Sequence, residues 1–213
     1  ILGPLMGRLN EAKVSMPGGC VIGARPNDLH LKGMRDLCAK VRVEAGYVHA
    51  KAKRLTGGER FLGGRSGPTV LGTANMLMAA SLAKGKTLIH SAACEPEIVD
   101  LGHFLISMGA KIDGLGSPMI VVMGVEELGG CDHEVIPERI EAGTYVIAGA
   151  MTGGRVKVDG CEPGHLAVLL ARLHEAGVPL EMGADFIETQ PFDPNDPGEG
   201  LRATDGTPLP YPG

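Results

Sequence analysis

The sequence has no Cys-x-x-Cys pair, no His-Glu-x-x-His pattern and no apolar run long enough to span a bilayer. The first two absences leave no recognisable zinc site. The third leaves no membrane-spanning helix: the longest apolar stretch, Val70 to Ala83, is short and is interrupted by Thr73, Asn75 and Ser81. Positive charge is also in short supply. Lys and Arg number 20 against 25 Asp and Glu, a formal net charge of −5, which argues against a broad nucleic-acid surface. No secretory leader is visible. The five cysteines (Cys20, Cys38, Cys94, Cys131, Cys161) are odd in number and scattered, which fits a reduced cytoplasmic chain better than a disulfide framework.

What is present begins with composition. Hydrophobic residues are 44% and charged residues 21% of 213 positions, the profile of a globular chain able to bury one sizeable core or two small ones. The pattern then repeats itself. Gly85-Lys86-Thr87-Leu88-Ile89 aligns with Gly154-Arg155-Val156-Lys157-Val158, an offset of 69 (154 − 85). Gly109 aligns with Gly177, an offset of 68, and Glu95-Pro96 with Glu162-Pro163, an offset of 67. Each copy reads helix, glycine turn, strand, loop, helix, glycine turn, strand, strand. A third copy, from Ala12 to Val43, is expected to lack its first helix. Repeats of this length mark units that stack to bury their apolar faces. Helices are expected over Thr69–Ala83, Ile98–Met108, Ile140–Met151 and Leu166–Ala176, and the first and third of these are apolar on most faces and so should be buried. A shorter helix is expected near Leu31 to Ala39. Residues 190–213 hold six of the fifteen prolines and read as a loop or linker.

The residues richest in chemistry lie at Met16-Pro17-Gly18-Gly19-Cys20-Val21-Ile22-Gly23-Ala24-Arg25-Pro26. Glycines let a backbone approach a ligand closely, and prolines stiffen both ends. A lone cysteine is more often a small buried hydrophobe. Here the thiol stands five residues before Arg25, whose planar fork suits phosphate or carboxylate and whose charge would lower a nearby thiol's pKa. This run resembles the active loop of the UDP-N-acetylglucosamine enolpyruvyl transferase family. The resemblance continues through Asn27-Asp28-Leu29-His30, Glu95-Pro96-Glu97-Ile98-Val99-Asp100, Gly124-Val125-Glu126 and Pro137-Glu138-Arg139-Ile140-Glu141-Ala142-Gly143-Thr144, in order, from about Leu2 to about Glu188.

The resemblance implies an α/β fold of α+β type: an inside-out α/β barrel domain of enolpyruvyl transferase type, built from repeated β-α-β-α-β-β units with helices inside and sheets outside. Residues 1–189 would be most of one such domain and residues 190–213 a linker towards a second, absent domain, so the chain is expected to be a piece of a longer enzyme. The implied reaction transfers the enolpyruvyl group of phosphoenolpyruvate to the 3-hydroxyl of UDP-N-acetylglucosamine, the first committed step of peptidoglycan synthesis, in the cytoplasm and with no cofactor or metal. By resemblance, Cys20 is the acid that protonates C3 of phosphoenolpyruvate and the target of fosfomycin. Arg25 would hold the phosphate of phosphoenolpyruvate, while Pro26, Asn27, Asp28, Leu29 and His30 line the uridine pocket. Asp28 could equally cap the following helix. The diphosphate would sit at the start of the helix at Thr69 and Val70. Gly67 occupies the place of a family lysine, with Arg65 as its substitute; an exposed loop charge is the competing reading of Arg65. Further family parts, a Lys-Asn pair and a base-like aspartate, would fall before Ile1 and after Gly213. The competing functional readings are a non-catalytic nucleotide-sugar-binding module and a paralogue with another acceptor. No nucleic-acid or membrane partner is expected.

Overall fold

The computed structural model describes residues 1–16, 27–64, 67–196, 198 and 200–204. The cysteine loop from Pro17 to Pro26, Arg65 and Ser66 therefore lie outside the described residues. The chain divides into two compact units, Ile1–Glu134 and Val135–Gly213. The expectation drew its boundary after residue 189; the compact division falls at Glu134/Val135.

The repeat is visible three times. Unit 1 holds helix α1 (Leu2–Leu9), strand β1 (Glu11–Ser15), α2 (Asp28–Asp36), β2 (Lys40–Glu44) and β3 (Tyr47–Lys51). A second copy follows: β4 (Glu59–Phe61), α3 (Val70–Ala80), β5 (Lys86–His90), α4 (Pro96–Ser107), β6 (Lys111–Asp113) and β7 (Met119–Met123). Unit 2 holds α5 (Arg139–Thr152), β8 (Val156–Asp159), a 3-10 turn (Pro163–Leu166) leading into α6 (Ala167–Glu175), β9 (Leu180–Met182) and β10 (Phe186–Thr189). In each copy the strand after the leading helix pairs antiparallel with the last strand, which pairs antiparallel with the one before it, giving the orders β1-β3-β2, β5-β7-β6 and β8-β10-β9. Only the second copy shows the full β-α-β-α-β-β order among the described residues, because β4 adds parallel to β5.

Two expectations are corrected. The first copy does have its leading helix, α1. The expected barrel is not closed: the strands form separate sheets of three, four and three.

The turns explain why three unlike sequences share one path. Between each leading helix and its strand the chain passes through the left-handed region, at the C-caps Asn10 (φ 55°) and Gly153 (φ 63°) and, five residues after α3, at Gly85 (φ 86°). Each second helix passes through it just before the next strand, at Cys38 (φ 70°), Gly109 (φ 105°) and Gly177 (φ 87°). Glycine adopts such angles without a Cβ clash, and Asn is the next most tolerant residue. The connection from first strand to second helix varies instead: residues 16–27 in the first copy, 91–95 in the second and 160–166, including the 3-10 turn, in the third, or 12, 5 and 7 residues.

Unit 1 is packed around α3, whose principal neighbours are α1, α2 and α4. Met76, Leu77, Ala79 and Ala80 of α3 are fully enclosed with Met6, Met34 and Leu62. α1 lies so close to α3 that a Cβ on Gly3 would stand 2.2 Å from the Asn75 carbonyl oxygen. α5 departs from the expected burial. Its inner side (Ala142, Val146, Ala150) joins a core with Leu166, Leu170 and Ile187, while Ile140, Tyr145, Ile147 and Met151 are exposed. Within its unit the principal neighbours of α5 are β8, β10 and the 3-10 turn. The described residues between 190 and 204 have no regular element but are tied to their unit through Gln190 N–H to Pro179 O (2.9 Å), Phe192 N–H to Gly153 O (3.2 Å) and Arg202 N–H to Ala176 O (3.0 Å).

Candidate functional site

Two helix starts converge in unit 1. α2 begins at Asp28, directly after the cysteine loop, and Asn27 is its N-cap residue. Neither Asn27 nor Asp28 closes a side-chain cap bond here; Asp28 is exposed in the first turn, where a carboxylate suits the positive end of the helix. Lys32 secures α2 to the adjacent strand, its Nζ donating to Phe61 O (2.7 Å) and to Asp36 Oδ2 (2.9 Å).

α3 starts with a complete cap. Thr69 is extended (φ −108°, ψ 117°), as an N-cap residue commonly is, and its Oγ1 accepts from Gly72 N–H at 3.2 Å. Thr73 Oγ1 donates to Thr69 O (2.7 Å) and accepts from Ala93 N–H (3.1 Å), which draws the Ser91–Glu95 connection onto the same helix start. Val70 is half-buried. Just upstream, Gly64 and Gly67 exchange backbone hydrogen bonds of 2.9 and 3.2 Å on either side of Arg65 and Ser66. Gly67 has φ 91°. An L side chain there would be strained, a physical reason for glycine at this position.

The two helix starts are joined directly. Leu29 packs on Gly64, where an added Cβ would meet Leu29 Cδ1 at 3.0 Å. His30 Nδ1 lies 3.0 Å from Asn75 Nδ2. Because the amide nitrogen can only donate, the imidazole accepts at Nδ1 and carries its proton on Nε2. Asn75 Oδ1 in turn accepts from Gly3 N–H at 2.7 Å, so one amide side chain ties α1, α2 and α3 together. Burial pushes the His30 pKa below its ordinary value, against the pull of the Asp28 carboxylate.

The structure thus brings Asn27, Asp28, Leu29 and His30 to one helix start and Thr69 and Val70 to the next. Cys20, Arg25, Pro26 and Arg65 lie outside the described residues. Sequence reasoning missed Asn75 and Thr73. Their signal was visible, two polar residues inside an apolar helix, but their partners lie 45 and 20 positions away.

The remaining chemistry is structural in character. Burial, with the neighbouring Glu95 charge, raises the Cys94 thiol, and burial raises Cys161, so neither is disposed to ionise. Among the described residues no group of three or more His, Cys, Asp or Glu is placed to hold a metal, and no helix is long and apolar enough to cross a membrane.

Comparison with known proteins gives a consistent picture. The profile of the EPSP synthase (3-phosphoshikimate 1-carboxyvinyltransferase) family matches residues 1–203. A curated protein of Koribacter versatilis, named UDP-N-acetylglucosamine 1-carboxyvinyltransferase, is 49% identical over 199 residues, covering 93% of this chain and 45% of its own length. A Coxiella burnetii protein of the same name is 46% identical over 213 residues, covering 100% of this chain and 47% of its own. Among solved structures, the enolpyruvyl transferase NikO from Streptomyces tendae superposes with a TM-score of 0.75 at 25% identity, over 93% of this chain and 47% of that one. An EPSP synthase from Acinetobacter baumannii, at 17% identity and a TM-score of 0.58, shares the fold. The chain spans about half the length of the curated relatives it matches.

Proposed function

The chain belongs to the EPSP synthase family, and from that membership we propose that it is part of an enzyme transferring the enolpyruvyl group of phosphoenolpyruvate to the 3-hydroxyl of UDP-N-acetylglucosamine. The observation that carries this reading is the convergence of the α2 and α3 starts. One follows the cysteine loop; the other has a capped N-terminus of the kind that receives phosphate groups. The names of the relatives at 46 and 49% identity support the acceptor.

The roles follow from the chemistry. In the addition step the 3-hydroxyl gives its proton to a base from the part of the enzyme outside this chain as its oxygen bonds to C2 of phosphoenolpyruvate, while C3 gains a proton. In the elimination step the C2–O bond to phosphate breaks, C3 gives up a proton and the double bond re-forms. Cys20 is the acid for C3, and Arg25 grips the transferred group's phosphate. Pro26, Asn27, Asp28 and Leu29 face the uridine, and the α3 start at Thr69 and Val70 takes the diphosphate, with Arg65 as its nearby cation. His30, bonded to Asn75, holds the α2 start against α3. No cofactor or metal enters this scheme. The half of the relatives' length outside this chain supplies the rest of the machinery, a second domain included. The reaction belongs to peptidoglycan synthesis and is placed in the cytoplasm.

The test uses the full-length protein. Incubation with both substrates should release inorganic phosphate, and fosfomycin should alkylate Cys20, faster when UDP-N-acetylglucosamine is present. Mass spectrometry that finds the adduct on Cys38 or Cys94 would sink the assignment, as would turnover surviving Cys20→Ser.

A further inference from the structure

The outer face of the β1-β3-β2 sheet gathers cations with no role in the site above. Alternation along the strands places Glu11, Lys51 and Lys40 in one row and Lys13, His49 and Arg42 in the next. The trough they line measures about 490 Å³, within the range of small-molecule sites; Ala12, Val41 and Ala50 border it from between the rows, their side chains alternating to the other face. Four cations (Lys13, Lys40, Arg42, Lys51) against one carboxylate (Glu11) give this lining +3, in a chain whose total is −5; the rest of the chain therefore carries −8. The internal pairing is partial. Lys51 Nζ meets Glu11 Oε2 at 2.6 Å, Arg42 lies 3.7 Å from Glu44, and the Lys13 ammonium rests 4.6 Å from the Tyr47 ring centre. All of these pairs are exposed and weakly held. Lys40 has no hydrogen bond or ion pair among the described residues.

The fold does not require this charge. The matching face of the second sheet presents Leu88, Val121, Met119 and Met123 beside Lys86, Lys111 and Asp113. The matching face of the third pairs its charges, Lys157 with Asp159 at 2.7 Å and Arg155 with Glu188. Three sheets of one topology thus carry three different outer faces, and the first holds a trough whose lining is net cationic.

We propose that this trough binds a small molecule carrying two or more linked phosphates. Rows two residues apart along a strand lie about 7 Å apart. A single phosphate engages one row, whereas an oligophosphate reaches Lys40 and Lys51 in one row and Arg42 and Lys13 in the next. Ammonium and guanidinium groups are the side chains suited to phosphate oxygens. His49, between Lys13 and Arg42, offers a ring for a base. The trough lies on the face of the sheet opposite the buried Val48, and the assignment does not depend on the transferase reading.

Calorimetric titration of the full chain with ATP, and separately with inorganic triphosphate, tests this at low salt and at about 0.15 M salt. Saturable binding is expected, weaker at the higher salt and reduced at least about tenfold in Lys40→Glu/Arg42→Glu. It should be unaltered in Lys157→Glu on the third sheet. Lys40→Gln/Arg42→Gln gives a milder version should charge reversal impair folding. His49→Ala separates the sources: loss of ATP binding alone points to a nucleotide, and equal retention of both ligands points to a free oligophosphate. Absence of saturable binding by either ligand, or binding that survives both double substitutions, overturns the proposal.

Discussion

α3 and α5 occupy the same place in their copies of the repeat and read alike in sequence, each apolar around most of its circumference. α3 has α1, α2 and α4 around it, and of its large side chains only Leu71 is exposed. α5 has a sheet and a short turn on one side, and exposes Ile140 at 62% and Met151 at 69%. An apolar helix is therefore a request for neighbours, and burial depends on how many the fold supplies.

The largest test of that contrast is truncation. Leu77→Ala in α3 should cost about 2–5 kcal/mol, since Leu77 is fully enclosed. Met151→Ala in α5 should stay within about 0.5 kcal/mol. Urea unfolding followed by amide exchange separates the two units, and equal losses would break the comparison. Next come the glycines. Gly3→Ala drives a Cβ into the Asn75 backbone and should cost about 1–3 kcal/mol. A Cβ at Gly143 of α5 meets only the ends of Leu169 and Leu166, at 2.8 and 3.1 Å, so Gly143→Ala should be near neutral or mildly stabilising, read from thermal midpoints. Thr69→Ala removes the α3 cap and should cost about 1 kcal/mol, with Thr69→Ser restoring most of it. The smallest effect is electrostatic. His30 binds its proton less readily when folded than when unfolded, so the stability it contributes is fully present above its ordinary value of 6.5 and is lost as pH falls below it. The urea midpoint of unit 1 should drop on acidification through that window, and His30→Gln should flatten the slope.

Much of the fold was legible because glycine marks its turns. Gly109 and Gly177, paired in the sequence at an offset of 68, both sit at left-handed positions, whereas Gly85 was aligned with Gly154 and the left-handed residue is its neighbour Gly153. Asn10 and Cys38 occupy the same two positions in the first copy without announcing it, so α1 went unseen. The unit boundary at Glu134/Val135 was hidden by the repeat itself, since copies on either side of the division look alike. In the site, the places of Asn27–His30 and Thr69–Val70 were readable from motif order. The His30–Asn75–Gly3 chain was not, because sequence gives residue types and not which helices approach one another. The open side of α5 was unreadable for the same reason.

The variable connection between first strand and second helix sets the terms on which this frame can acquire chemistry. Lengthening a flexible connection from five residues to twelve costs only about 0.8 kcal/mol of closure entropy. The three copies keep one sheet order while that connection runs to 12, 5 or 7 residues. Each copy thus offers a socket whose contents can be exchanged without renegotiating the core. One of the three holds the cysteine segment, and the other two are the natural places to graft another.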